Sequence, residues 1–205
     1  MSHETDNALF RALKVKFQVI AAVLVGAAVT SFALGGVVAN GEMERTALAL
    51  PALDAHEPWQ SEVEEFGELV SSALGVREHV AEKYSGWILE AATRQDFDPQ
   101  LIASLVHTES SFRSNVRSHV GAVGPAQVRP DYWSRFCGTA DLTDPEQNIY
   151  CGAQVLAYYR ERCGDEVCAL KAYNIGLYGT RRNAAKRYVA KVDRYRSALS
   201  SVAAL

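Results

Sequence analysis

A run of 23 residues near the amino terminus, residues 17–39, carries no charged side chain and reads FQVIAAVLVGAAVTSFALGGVVA. Its polar side chains are those of Gln18, Thr30 and Ser31. A helix that rises about 1.5 Å per residue would cross a hydrocarbon core about 30 Å thick over this length. We therefore expect residues 17–39 to form a single transmembrane signal-anchor.

The charges that flank this run predict its orientation. Arg11, Lys14 and Lys16 precede the run, and acidic residues follow it. Because basic flanks stay in the cytoplasm, residues 1–16 would form a cytoplasmic tail and the remainder would be exported. Two alternatives stay open. One is cleavage as a signal peptide after the small residues at 37–39. The other is a weak, releasable anchor, since nine of the 23 residues are Ala or Gly.

Export gives the four cysteines a role as disulfides. Their number is even, and an oxidising compartment favours pairing. Of the three possible pairings we expect the one between nearest partners in sequence, Cys137 with Cys151 and Cys163 with Cys168. Zinc binding is the alternative, but no C-x-x-C or His-x-His spacing supports it, so we expect no metal site.

The rest of the 205-residue chain has the composition of one globular domain with an appendage. With 48% apolar residues it can bury a core, and its formal net charge of −3 points away from nucleic acid. Residues 40–76 comprise a Pro-interrupted linker and an acidic amphipathic helix over 59–74, and an all-α domain occupies residues 77–205. Periodic apolar residues predict the helices of this domain over 77–95, from Pro99 onward, 145–162, 166–175 and about 182–200.

Glu109 continues the apolar stripe of the helix that begins after Asp98, a predicted N-cap. Leu101 and Leu105 lie eight and four residues before it, on the same helical face. The pattern predicts a carboxyl group directed at the interior, where burial raises the pKa into the range useful for a general acid. From this helix alone, a glutamate that bends out to solvent or satisfies a backbone donor is an equal alternative.

Several further segments carry a pattern that extends beyond this helix. In chain order they are LIASLVHTESSF, SHVGAVGPAQVRP, DPEQNIYCGAQVLAYY and KAYNIG, followed by KRYVAKV. In order and spacing they resemble the family 1 lytic transglycosylases, the soluble-lytic-transglycosylase-like domain of the lysozyme superfamily. The resemblance covers roughly residues 82–196 and implies a lysozyme-like helical domain.

The resemblance implies a role for each matching residue. Glu109 matches the catalytic acid/base, and Tyr173 in the Ala-Tyr-Asn motif would position its carboxyl group through a hydrogen bond. The implied substrate-binding residues are Ser110, Ser118, Gln127, Tyr173, Asn174 and Tyr188, the last as an aromatic that closes the cleft. A turn cap by Ser118 and a loop tie by Gln127 are the structural alternatives.

Two positions depart from the pattern of the family. Ala126 stands where the family usually has Met, and Arg129 stands near positions that are usually apolar. A smaller side chain and a new cation would alter a sugar subsite without touching the acid.

The implied reaction is cleavage of peptidoglycan between N-acetylmuramic acid and N-acetylglucosamine. No second acid repeats the inward placement of Glu109, which fits one carboxyl group acting first as acid and then as base. The resemblance implies that a 1,6-anhydro product then forms without a cofactor, and spacing alone does not separate this reaction from hydrolysis. The alternatives are a goose-type lysozyme-like muramidase, which uses water, and a non-catalytic wall-binding or assembly protein.

The resemblance also implies a location. The domain would lie in the periplasm and be anchored in the bacterial inner membrane, and a secreted or phage-encoded form is the alternative. Glycan strands would be its substrate and nucleic acid would not be a partner. Partners in a secretion, conjugation or phage assembly apparatus stay open.

Overall fold

A computed structural model describes residues 56–138 and 141–204, and the expected anchor at 17–39 lies outside this part of the chain. The described part contains seven helices and no strand, which confirms the all-α prediction. They are α1 His56–Leu74, α2 Glu78–Gln95, α3 Pro99–Ser110, α4 Pro130–Cys137, α5 Pro145–Cys163, α6 Glu166–Ile175 and α7 Arg182–Ala203. Within the described ranges, no helix combines the length and the apolarity needed to cross a membrane.

The predicted helices begin where the sequence places capping residues. The Asp98 carboxylate accepts a hydrogen bond of 2.9 Å from the backbone N–H of Gln100, and Asp144 accepts one of 2.9 Å from that of Gln147. These bonds satisfy amide groups that have no partner inside the first helical turn. The N-cap predicted at Asp98 is therefore confirmed at the start of α3, and Asp144 caps α5 in the same way.

The short helix α4 is the one that sequence periodicity did not predict. It has eight residues and no buried side chain, so it lacks the apolar stripe that marks the other helices. Pro130 begins it with the backbone angle that a first helical position requires. The ring of Trp133 packs edge-on against Tyr158 of α5, and a disulfide joins Cys137 of α4 to Cys151 of α5. The other two cysteines are also paired.

The core is centred on α3. Leu101, Ile102, Leu105 and Val106 are all buried, and the helix packs against α2 and α7. Full burial of an aliphatic side chain of this size contributes about 1.5–3 kcal/mol. The carboxyl end of α3 is therefore held firmly in the domain, and Glu109 lies in its last turn.

The acidic helix α1 shares this core. Val63, Phe66 and Val70 are buried in it, and α1 packs against both α2 and α7. This helix, predicted to precede the domain of residues 77–205, therefore packs as part of the same core. Glu62, Glu64, Glu65 and Glu68 of α1 are exposed on its solvent face, as expected, while its apolar stripe completes the domain.

Candidate active site

Most of the predicted site residues line one cleft of about 720 Å³. The cleft lies between the end of α3, the loop that leads into α4, the middle of α5 and the end of α6. Five of the seven predicted residues contribute to its wall, namely Glu109, Ser118, Gln127, Tyr173 and Asn174. Tertiary structure therefore brings together residues that span more than 60 positions in the chain.

Glu109 is directed into this cleft rather than out to bulk solvent. It is partly buried, and one of its carboxyl oxygens, Oε1, accepts a hydrogen bond of 2.6 Å from the Tyr188 hydroxyl. Burial raises the pKa of Glu109 to about 7, against the opposing effects of the Tyr188 hydrogen bond and the Lys191 charge. A carboxyl group with this pKa holds a proton in neutral or mildly acidic medium and can donate it to a substrate oxygen.

The structure exchanges the expected roles of two tyrosines. Tyr173 was expected to donate a hydrogen bond to Glu109, but its hydroxyl donates to the backbone carbonyl of Ala126 at 2.8 Å. Tyr188 is the donor to Glu109, because α7 packs along α3 and carries this side chain to the carboxyl group. Tyr188 is 8% exposed and is not among the residues that line the cleft wall, so the structure places it behind Glu109.

Both hydroxyls remain donors over the working pH range. Burial raises the pKa of Tyr173 and of Tyr188 well above 10, and the nearby Glu109 carboxylate raises each further. Neither tyrosine therefore loses its proton when Glu109 ionises.

The structure places Ser110, a predicted substrate-binding residue, away from the cleft wall. Ser110 is 2% exposed and does not line the cleft. Its hydroxyl donates to the Val106 carbonyl at 3.2 Å, one helical turn back. One position beyond Glu109 on a helix points about 100° away, so this side chain enters the core instead.

Ser118 and Gln127 line the cleft and also shape its loop. The Ser118 hydroxyl accepts a hydrogen bond of 3.0 Å from the Ala122 amide. The Gln127 amide nitrogen donates to the carbonyls of Val116 and Gly124, at 3.1 and 2.8 Å. Ser118 therefore caps a turn and Gln127 ties the loop, as in the structural alternatives, and both side chains also line the cleft.

Asn148 holds this loop in place through hydrogen bonds, and it was not among the predicted site residues. It is fully buried, and its amide oxygen accepts from the Ala126 amide at 2.8 Å. Its amide nitrogen donates to the carbonyls of Val123 and Leu142, at 2.8 and 2.9 Å. The segment DPEQNI contains the signal for this role, since an asparagine on the apolar face of a helix needs buried partners.

The departure from the family pattern at Ala126 lies outside the cleft wall. Ala126 is buried, whereas Arg129, the other departure, lines the cleft. Ala126 packs against α5 at Gly152, where an added Cβ would lie 2.6 Å from the Ala126 Cβ. A small residue at 126 therefore fits the close approach of loop and helix.

Four aromatic side chains form an aromatic wall of the cleft, and none of them was among the predicted site residues. Tyr132, Trp133, Tyr158 and Tyr159 line the cleft, and Trp133 packs edge-on against both Tyr158 and Tyr159. Flat apolar rings with polar tips suit the alternating apolar faces and hydroxyl edges of sugars. Adjacent aromatic residues in the segments DYW and AYY are the sequence feature that indicates this wall. Similar aromatic pairs also occur in helices of an ordinary core, so the feature alone does not identify a binding site.

Among the described residues that line the cleft, Glu109 is the one acidic side chain. In residues 56–138 and 141–204, no group of three or more His, Cys, Asp or Glu side chains is arranged to hold a metal ion. The chemistry that these residues support is proton transfer to and from one carboxyl group.

Comparison with known proteins identifies the family of this chain. The family model described as Transglycosylase SLT domain matches residues 86–195. The chain is 41% identical over 86 residues to a protein called Transglycosylase from Enterobacteria phage PRD1, covering 42% of this chain and 32% of that protein. It is 38% identical over 104 residues to Membrane-bound lytic murein transglycosylase F from Desulfosudis oleivorans, covering 47% of this chain and 22% of that protein.

A solved structure confirms the fold. An inactive mutant of lytic transglycosylase Slt from Pseudomonas aeruginosa superposes with a TM-score of 0.51 and 21% identity, covering 69% of this chain and 30% of that chain. The alignments span about a third or less of the length of these relatives.

Proposed function

This chain belongs to the transglycosylase SLT domain family, and we propose that it is a peptidoglycan lytic transglycosylase. Its substrate is the bond between N-acetylmuramic acid and N-acetylglucosamine. The observation that carries this proposal is Glu109, a carboxyl group with a pKa of about 7 in a cleft with an aromatic wall. Relatives that are named as transglycosylases support the same activity.

In the first step, protonated Glu109 donates its proton to the glycosidic oxygen. The bond from that oxygen to C1 of the muramyl ring breaks, and the leaving N-acetylglucosamine departs as a neutral alcohol. Positive charge develops at C1, and the acetamido oxygen of the substrate stabilises it, as in substrate-assisted glycosidases. This assistance replaces the second carboxylate that ordinary glycosidases use.

In the second step, ionised Glu109 accepts the proton of the muramyl 6-hydroxyl. The freed oxygen attacks C1 and closes the 1,6-anhydro ring, so that Glu109 is protonated again and no water is consumed. Tyr188 holds the carboxyl group in orientation through its hydrogen bond of 2.6 Å in both steps. The aromatic wall would position the sugar rings on either side of the broken bond.

Digestion of purified sacculi tests this proposal. The expected product is lighter by one water than the product of hydrolysis, as measured by mass spectrometry of the released fragments. Glu109→Gln should lower the rate by about 10²–10⁴, the usual contribution of a positioned general acid. Glu62→Gln, on the exposed face of α1, is the matched control and should retain the wild-type rate.

Three outcomes contradict the proposal in different ways. Reducing ends without an anhydro ring indicate a muramidase that uses water. Binding without any cleavage by the wild type indicates a wall-binding protein. Cleavage by Glu109→Gln at the wild-type rate removes the role of this residue.

We also propose that residues 17–39 anchor the enzyme in the inner membrane, with the domain in the periplasm. The uncharged run and its basic flank support this location, and the relative from Desulfosudis oleivorans is named as membrane-bound. The expected protein sediments with membranes, needs detergent for extraction and has the mass of the uncleaved chain. A soluble product whose amino terminus lies near residue 40 would indicate a signal peptide instead.

A further inference from the structure

We propose that Arg129, assisted by Arg181, binds a carboxylate carried on the 3-oxygen substituent of the muramyl residue. The cleft would thereby select muramyl glycans over uncharged amino-sugar polymers. This inference rests on the proposed function, because it names the substrate feature that the same cleft recognises.

The charges in the cleft wall favour an anionic ligand. Two guanidinium groups line it, those of Arg129 and Arg181, and Glu109 is the acid there. Since Glu109 enters the reaction protonated, the wall is positive when substrate binds. A polymer of N-acetylglucosamine alone carries no charge, whereas the muramyl 3-oxygen carries a lactyl group with a carboxylate or a peptide stem with free carboxylates.

Arg129 is held ready for such a ligand. Its guanidinium lies over the ring of Tyr132, 4.2 Å from the centroid, and this stacking limits its freedom. In the described part of the chain, neither Arg129 nor Arg181 forms an ion pair, unlike Arg94 and Arg196. A guanidinium in the cleft wall that has no ion-pair partner is available to form charge-assisted hydrogen bonds with a carboxylate of the ligand.

The position of Arg129 suits a substituent beside the sugar chain. It is the residue immediately before α4, and Tyr132 and Trp133 of the aromatic wall lie one turn further on. A glycan that rests on this wall would therefore present its side substituents to the guanidinium. Arg181, before the first turn of α7, provides a second cation in the same cleft.

Binding to the Glu109→Gln protein tests this inference without turnover. Three ligands are compared: glycan fragments with peptide stems, the same fragments after amidase treatment leaves lactyl carboxylates, and N-acetylglucosamine oligosaccharides. Adding Arg129→Gln should weaken binding of a carboxylate-bearing ligand by about tenfold or more, since a charge-assisted hydrogen bond is lost. Affinity for the uncharged oligosaccharide should stay the same.

The ligand arms also identify the source of the carboxylate. Loss confined to the peptide-bearing fragments assigns it to the stem, and loss confined to the amidase-treated fragments assigns it to the lactyl group, whose carboxylate is free only after the stem is removed. Equal loss on both muramyl ligands shows that Arg129 binds either carboxylate. Arg129→Lys should restore part of the affinity, because it keeps the charge without the planar fork. Arg135→Gln is the matched control, because Arg135 lies on the exposed surface of α4, and it should change none of the affinities.

Two results overturn the inference. One is unchanged affinity of Arg129→Gln for both muramyl ligands. The other is an equal loss for the uncharged oligosaccharide, which would mean that Arg129 only supports Tyr132. Either result leaves the proposed reaction intact, because that is tested separately by the products of Glu109 variants.

Discussion

Glu109 occupies a place where an ionised carboxylate costs free energy. Burial in the cleft wall raises its pKa to about 7, although the Tyr188 hydroxyl and the Lys191 ammonium both favour its charged form. Lys191 is held nearby because its ammonium donates to the Thr108 carbonyl at 3.0 Å. A residue placed for proton transfer in this way reduces the stability of the fold that holds it.

Glu109→Gln should therefore stabilise the protein above neutral pH. Between pH 4.5 and about 7 the unfolded chain loses this proton before the folded one, so the wild type loses stability as pH rises through that window. The difference between 4.5 and about 7 corresponds to about 3 kcal/mol. We expect the unfolding temperature of the variant to exceed that of the wild type above pH 7, as measured by calorimetry. A difference that stays constant with pH would contradict this.

Tyr188→Phe should move the alkaline limb of the pH–rate profile to higher pH. The Tyr188 hydrogen bond favours the carboxylate and lowers the pKa of Glu109, so its removal raises that pKa. The maximal rate should fall by about tenfold, because the carboxyl group loses its orienting partner.

Tyr173→Phe provides the comparison. It removes the hydroxyl contact with the Ala126 carbonyl and leaves the hydrogen bond between Tyr188 and Glu109 in place. The alkaline limb should keep its wild-type position in this variant. If Tyr173→Phe shifts the limb and Tyr188→Phe does not, the assignment of the donor is wrong.

The loop between α3 and α4 depends on one asparagine and one glycine. Gly124 adopts a φ of 75°, and an added Cβ would lie 2.5 Å from the Asn148 side chain. Asn148 in turn fixes the loop through three hydrogen bonds to backbone groups. The loop carries Ser118 and Gln127, so its shape determines one wall of the cleft.

Gly124→Ala should destabilise the protein more than Gly121→Ala. Both glycines have positive φ, so both variants incur the left-handed cost of about 1–2 kcal/mol. Nothing lies within 4 Å of a Cβ at Gly121, whereas the clash with Asn148 adds about 1–3 kcal/mol at Gly124. Thermal unfolding followed by circular dichroism measures both. Equal shifts would show that Asn148 moves aside at no cost.

The domain as a whole extends beyond the segment that the family model matches. Helix α1 precedes residue 86, the first matched residue, yet Val63, Phe66 and Val70 are part of the core. The core of this protein therefore includes a helix that the motifs do not mark.

Val70→Ala should lower the main unfolding transition of the whole domain. Val70 is fully buried, and removal of two methyl groups costs roughly 2 kcal/mol with the cavity that remains. Val167→Ala, at a side chain that is 45% exposed, is the control and should shift stability by less than about 0.5 kcal/mol. A separate early transition in Val70→Ala, with the main one unchanged, would show that α1 unfolds independently.

The sequence by itself predicted the described helices other than α4, the N-cap of α3 and, as one of two alternatives, the inward direction of Glu109. Each of these depends on residues within one or two turns, as with Asp98 before Pro99 and Leu105 before Glu109. The expected uncharged anchor is of the same local kind, although it lies outside the described residues.

Only the tertiary structure decided the partner of Glu109, the aromatic wall and the place of α4. Tyr188 is 79 positions from Glu109, and its contact follows from the packing of α7 along α3. Helix α4 has no buried face of its own, so its position comes from Trp133 and from its contacts with α5. Periodicity reports which face of a helix is buried, but the side chain that it meets depends on how distant elements pack.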